Sequence, residues 1–312
     1  MNTIYALRTS QSGNTLERVW AQGETGGLAD GYTSGATATI GGRTILFAYN
    51  ATADKLDAYV LSGDAPQAVA CTPALAGGPW DSLNTFILGN EPHLLAYRRH
   101  DGMFAFFHVA DDLTLSPPYT IAWSRNTPTT GFTSVAPFTS LGQQFILGYD
   151  ADTGTVANFS LGVTSTSSGG TPPLLLLNAW YHQWAKGWRH FAFFQLGGAN
   201  FFFKINTAKL NVNIDHIQDN PAMGTVEVGS YLQGQLPDAL KIDIAATVPW
   251  ADGDIRLLTY IAASGATAVY RIHGNCMGWT SLCSDTTPAN ATLALPYRTG
   301  DTSFVLFYAT AS

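Results

Sequence analysis

The sequence predicts an all-β fold, a six-bladed β-propeller closed by pairing of its N- and C-terminal strands. Three observations predict it. A short strand of the form apolar-apolar-small-Tyr recurs, as Leu46-Phe47-Ala48-Tyr49, Leu94-Leu95-Ala96-Tyr97, Ile146-Leu147-Gly148-Tyr149, Leu257-Leu258-Thr259-Tyr260 and Leu306-Phe307-Tyr308, with Phe201-Phe202-Phe203-Lys204 as a sixth copy. Positions 49, 97, 149, 204, 260 and 308 lie 48, 52, 55, 56 and 48 residues apart. Such a period, with β-like units too small to bury both faces alone, is that of a propeller or a similar array. Finally, the ends are complementary half-units. Ile4 to Leu7 and Leu16 to Ala21 read as orphan third and fourth strands, while the chain finishes on a first and a second strand. Sharing a blade between head and tail removes the open sheet edge. A pair of two-sheet sandwiches is the alternative.

Each unit opens on a Gly-aromatic step or a variant of it: Gly31-Tyr32-Thr33-Ser34, Pro79-Trp80-Asp81-Ser82, Gly131-Phe132-Thr133-Ser134 and Gly187-Trp188-Arg189-His190, with Asp238-Ala239-Leu240 and Asn290-Ala291-Thr292 as degraded copies. Turns such as His100-Asp101-Gly102, Asp152-Thr153-Gly154 and Ser264-Gly265 follow the tyrosine strands and signal hairpins. Third strands are expected at Leu56 to Leu61, Met103 to Val109, Thr155 to Leu161, Asn211 to Ile217 and Thr267 to Ile272. Fourth strands fit Tyr119 to Trp123, Leu174 to Trp180 and Thr225 to Tyr231. One domain, residues 1–312, is the simplest organisation. A Ser/Thr/Gly-rich insert, 164–173, lengthens one connection.

Composition narrows the function. Only 12% of residues are charged, the net charge is −7, and no basic cluster occurs, which argues against a nucleic-acid partner. No apolar run is long enough to span a bilayer as a helix, so no membrane partner is expected. Cytoplasmic and secreted locations both stay open, as does the oligomeric state. Cys276 and Cys283 are close enough in sequence to bridge, and three free thiols are the equal alternative with Cys71. Phosphate-loop, nucleophile-elbow and zinc signatures are absent, so no cofactor or metal is expected. Asp150 to Gly154 reads as a polar hairpin turn rather than a calcium loop.

In a propeller, the start of each first strand and the end of each second strand emerge on one rim of the central channel. That rim gathers side chains from every blade and is the natural place for a ligand. The repeated tyrosines read as interblade packing with a bonded hydroxyl. Departures from the repeat carry more information. Arg189, His190 and Lys204 fall together in the fourth blade, and Asp81 stands where the first and third copies have threonine. These four are the candidate catalytic residues. Arg189 and Lys204 would polarise a carbonyl, and His190 or Asp81 would move a proton. A lysine on an aromatic strand must otherwise reach solvent or a carboxylate.

The six-blade count, the length and the short aromatic strands resemble the fungal and bacterial fucose-binding lectins. That resemblance implies sugar sites between blades, each with an arginine, a glutamate and an aromatic residue. The four glutamates, Glu17, Glu24, Glu91 and Glu227, do not supply one per blade. The scaffold also resembles lectin-like fungal cyclases, which implies cofactor-free hetero-Diels–Alder chemistry. Two functions follow as expectations. One is a single-site small-molecule binder, an enzyme of the cyclase type, working at the channel rim. The other is a glycan-binding lectin, for which Trp20, Trp80, Trp123, Trp188 and Trp279 are candidate stacking surfaces.

Overall fold

A computed structural model describes residues 2–10, 13–23, 27–72, 74–122, 131–163, 174–206, 209, 211–232, 241–250 and 255–309. The expected insert 164–173, Trp123 and residues 238–240 lie outside them. The strands form six four-stranded antiparallel sheets. Blade one is Ser34–Ile40, Arg43–Asn50, Lys55–Leu61 and Gln67–Val69, and blade two is Ser82–Leu88, Glu91–Arg98, Met103–His108 and Tyr119–Ala122. Blade three comprises Ser134–Ser140, Gln143–Tyr149, Thr155–Val163 and Leu174–Gln183; blade four, Trp188–Leu196, Ala199–Asn206, Asn211–Ile217 and Thr225–Leu232. Blade five is Ile244–Pro249, Ile255–Ile261, Ala266–Ile272 and Trp279–Thr286. Leu293–Thr299 and Thr302–Tyr308 open blade six, which Thr3–Ser10 and Gly13–Ala21 complete. Thr3 pairs with Phe307, Ile4 with Leu306 and Leu7 with Ser303, so the ring closes as the orphan strands require. First strands of successive blades touch around the whole circle.

Strand alternation sends one face of each blade to the preceding blade and the other to the following one. In blade one, Ile45, Phe47 and Tyr49 pack toward blade two, while Leu46 and Ala48 pack toward blade six. The buried tyrosines also tie blades together. Tyr49 Oη accepts the backbone N–H of Trp80 at 3.1 Å. Tyr97 accepts that of Phe132 at 2.7 Å, Tyr149 that of Trp188 at 3.2 Å, Tyr260 that of Ala291 at 2.8 Å and Tyr308 that of Tyr32 at 3.1 Å. Each bond satisfies a donor in the buried seam between two blades.

Two register expectations are corrected. Lys204 does not occupy the tyrosine column. Phe203 and Ile205 pack toward blade five, and Phe202 packs toward blade three, so strand alternation gives Lys204 the blade-three face and makes Ile205 the counterpart of Tyr49. The first strand of blade five starts at Ile244, not near residue 238. Asp243 donates its N–H to Tyr260 O at 2.9 Å, as Thr33, Asp81 and Thr133 do to Tyr49, Tyr97 and Tyr149. All three cysteines are free. Asp150 to Gly154 is a turn, closed by Gly154 N–H to Asp150 O at 2.8 Å.

Tyr97→Phe keeps the packing and strips the acceptor from the buried Phe132 N–H. We expect urea denaturation to show a loss of about 1–3 kcal/mol. A change within a few tenths of a kcal/mol would mean the hydroxyl is not a structural tie.

Candidate functional site

At the channel entrance, the starts of the first strands of blades two and three and the bulged start of blade four enclose a depression of about 350 Å³. Asp81, Asn84, Arg99, Thr133, Ser134, Phe132, His190 and Phe191 are among its lining residues. The structure thus brings together two of the four candidates, Asp81 and His190. Arg189 and Lys204 do not line the depression.

Asp81 is held by a repeated local device. Its Oδ2 accepts the backbone N–H of Arg99 at 2.6 Å, just past the end of the second strand. Thr33 and Thr133 Oγ1 do the same for Ala51 and Ala151 at 3.2 and 2.9 Å, and Asp243 Oδ2 for Ala262 at 2.7 Å. The carboxylate therefore serves blade two structurally and adds a negative charge where blades one and three present hydroxyls.

Arg99 is the site residue that the sequence reasoning missed. Its Nε donates to Gly131 O at 3.2 Å, and its Nη2 lies 2.6 Å from Asp152 Oδ2 and 3.5 Å from Asp150 Oδ1. The guanidinium spans from blade two to the turn of blade three and is largely committed to these partners. The signal was the Arg98-Arg99-His100 run directly after Tyr97. Arg98 itself turns away, pairing with Asp101 at 2.7 Å and covering the Trp80 ring at 5.1 Å.

His190 owes its position to a β-bulge. Arg189 pairs with Ile205 and Ala192 with Phe203, so two residues, His190 and Phe191, stand opposite Lys204. His190 takes a left-handed φ of 57°, a conformation that costs a non-glycine residue of order 1 kcal/mol. The partly buried imidazole sits by the backbone carbonyl of Ile242, at the entry to blade five. Burial first, then the Arg189 charge, push its pKa down to about 4, against Asp243 and the Ile242 carbonyl, which favour the charged form. At neutral pH it is an uncharged donor and acceptor. Arg189 is exposed.

Lys204 meets a carboxylate inside the blade. Its Nζ lies 2.8 Å from Asp215 Oδ2, with both side chains about 5% exposed. It also sits 4.0 Å and 4.6 Å from the Trp184 and Trp188 ring centres. Burial lowers the lysine pKa and raises that of Asp215, while each partner's charge opposes the shift. The sequence alternative of a lysine paired with a carboxylate is the one realised, and its ammonium is shut between blades three and four. Among the described residues, no three His, Cys, Asp or Glu side chains converge as a metal-ligand set.

No protein-family model and no curated protein matches the chain. Solved structures match its fold. A Lactobacillus plantarum protein aligns with TM-score 0.54 and 12% identity over 92% of this chain and 82% of its own. A candidate 6-phosphogluconolactonase of Bacteroides fragilis gives 0.54 and 15% over 94% and 84%. An exo-β-1,3-galactanase of Phanerochaete chrysosporium, solved with galactose, gives 0.50 and 8% over 92% and 67%. At these identities the likeness is one of fold.

Two measurements check the site's electrostatics. Lys204→Ala leaves Asp215 buried without its countercharge and is expected to cost about 3–5 kcal/mol, whereas Lys204→Met with Asp215→Leu should fall near neutral. Equal losses in both would contradict a paired charge. For His190, the folded state stays neutral down to about pH 4, while the unfolded chain protonates near 6.5. The unfolded state therefore binds more protons between those values, and stability falls as pH drops through that window, by roughly 3 kcal/mol in full. In His190→Gln that part of the pH dependence should vanish; an unchanged stability profile would overturn the assignment.

Proposed function

We propose that the chain binds one small polyhydroxylated molecule, of the sugar or sugar-lactone class, in the depression over blades two to four. The observation that carries this is the wall itself. Hydroxyls of Thr133 and Ser134, the amide of Asn84, the carboxylate of Asp81 and a neutral imidazole offer donors and acceptors in mixed order beside Phe132 and Phe191. A ring-shaped polyol presents the same mixture: hydroxyls at its edge and C–H groups on its faces. The walls do not repeat, because the Arg99–Asp152 link and the His190 bulge each belong to one blade. One asymmetric site follows, rather than an array of equivalent ones. The sugar-acting names of the B. fragilis and P. chrysosporium proteins agree in ligand class.

The hetero-Diels–Alder reading gains nothing from these walls, since a polyene partner asks for a flat apolar slot. Of the lectin reading's stacking surfaces, Trp20, Trp80 and Trp188 are at most 5% exposed and fill gaps within and between blades, Trp279 is half-buried on the outer strand of blade five, and Trp123 lies outside the described residues. Turnover is a separate reading, favoured by Asp81 and His190 facing one depression. The carboxylate takes a proton from a hydroxyl or an attacking water, and the imidazole positions that oxygen.

Ligand-observed NMR and calorimetry with glucono-1,5-lactone, gluconate, galactose and methyl fucoside test the proposal. We expect one site per chain and a roughly 10- to 100-fold loss of affinity in Arg99→Ala and in His190→Ala, with folding checked by circular dichroism. Several equivalent sites, or full affinity in both variants, would refute it.

A further inference from the structure

The side of blade five that looks toward blade four carries a second depression, of about 480 Å³, larger than the channel depression and separate from it. A pairing rule that runs through the ring sets it apart. The residue before Thr33, Asp81 or Thr133 plugs the space beneath the linker, and it packs on the second-strand residue just before the tyrosine. A large plug sits on a small partner: Tyr32 with Ala48, Trp80 with Ala96, Phe132 with Gly148. At Gly148 a methyl group would come within 2.5 Å of the Phe132 ring, so the partner must be small. Blade six inverts the pair, with Ala291 against Phe307. In blade four the Trp188 plug is matched by the Lys204 ammonium at 4.6 Å from its ring centre.

Blade five has neither large member. Its plug is Ile242 and the partner is Thr259, and blade four contributes Ile205 to the tyrosine column. The depression is not greasy. Strand alternation turns Thr259, Ala268, Tyr270, Ser284 and Thr286 to the side that faces blade four; Leu257, Tyr270 and Ile272 pack there, and Leu258, Tyr260 and Val269 pack on the opposite side. Thr267 and Asp285 pair with each other across the strands, and Thr267 pairs with Tyr260, which packs toward blade six, so their side chains lean to that face although both residues border the depression. Three hydroxyls, a tyrosine ring and small aliphatic groups line the depression beside Asp285, and no cation is among its described lining residues.

We propose that this seam is a second binding site, for a compact neutral polyol such as a hexitol or one pyranose ring. The volume lies within the ordinary range for small ligands. Hydroxyls that both donate and accept suit a neutral polyol and offer nothing to a phosphate or a carboxylate, which would be left without a cation. A ligand there also meets Ile242, whose carbonyl lies by His190, so it touches the same seam from the side away from the channel.

The test is methyl NMR on protein labelled at Ile and Thr methyls, titrated with sorbitol and, separately, with methyl-α-glucopyranoside and glucose 6-phosphate. The Thr259, Thr286 and Ile242 methyls should shift and saturate with a Kd on the order of 1 mM for the two neutral probes, as expected for so few ligand atoms. Glucose 6-phosphate should bind at least 10-fold more weakly. Thr259→Phe, which reproduces the Phe307 solution of blade six, should fold normally and remove these shifts, leaving any response of Thr133 in the channel depression intact. Unmoved seam methyls, shifts that survive Thr259→Phe, or preference for the phosphorylated sugar would each overturn the proposal. Loss of the Thr133 response in Arg99→Ala with the seam response retained would show the two sites to be independent.

Discussion

A tyrosine hydroxyl that accepts a backbone N–H from the next blade is the bond on which the ring depends. Each blade begins with a backbone donor that turns into a dry seam. Leaving such a donor unpaired would cost about as much as a lost hydrogen bond or more. The tyrosine solves this from across the seam, and its ring supplies the packing that holds two sheets face to face. Five seams use it, with donor–acceptor distances between 2.7 and 3.2 Å. Blade six is among them, with Tyr308 reaching Tyr32, so the closure strand and the staple act on the same blade.

The remaining seam explains the molecule's asymmetry. Ile205 stands in the tyrosine column between blades four and five, so no hydroxyl is offered there to the Ile242 N–H, while the imidazole of His190 sits by the Ile242 carbonyl. An extra residue in the first strand of blade four bulges His190 and Phe191 toward the channel. The bulge supplies a left-handed histidine and the third wall of the channel depression. Lys204 is a separate solution to a different problem: strand alternation puts its side chain on the blade-three face, where Asp215 neutralises it beside two tryptophans.

Much of the fold was legible because repetition averages out local ambiguity. Six copies set the blade count, and the half-units at Ile4 and Ser303 dictated how the ring closes. What failed was register within a single blade. Phe201 to Lys204 matched the tyrosine strands by composition, but every residue of that run is compatible with either face, and only the count across the bulge decides. Blade five starts later than the sequence pattern suggests because Ile242-Asp243 lacks the Gly-aromatic step. The site was half legible. Asp81 and His190 stood out as breaks in a pattern. Arg99 did not, because its role depends on the turn at Asp150 to Asp152 in the next blade, a partner that sequence spacing does not supply.

The staple model is tested most directly by residue-resolved amide hydrogen exchange at the residues that begin each blade. The account predicts strong and similar protection of the N–H groups of Tyr32, Trp80, Phe132, Trp188 and Ala291, and markedly faster exchange at Ile242, where the tyrosine column offers Ile205 and no hydroxyl. Protection of Ile242 equal to that of the other five would contradict it, since the seam between blades four and five would then be closed as firmly as the rest.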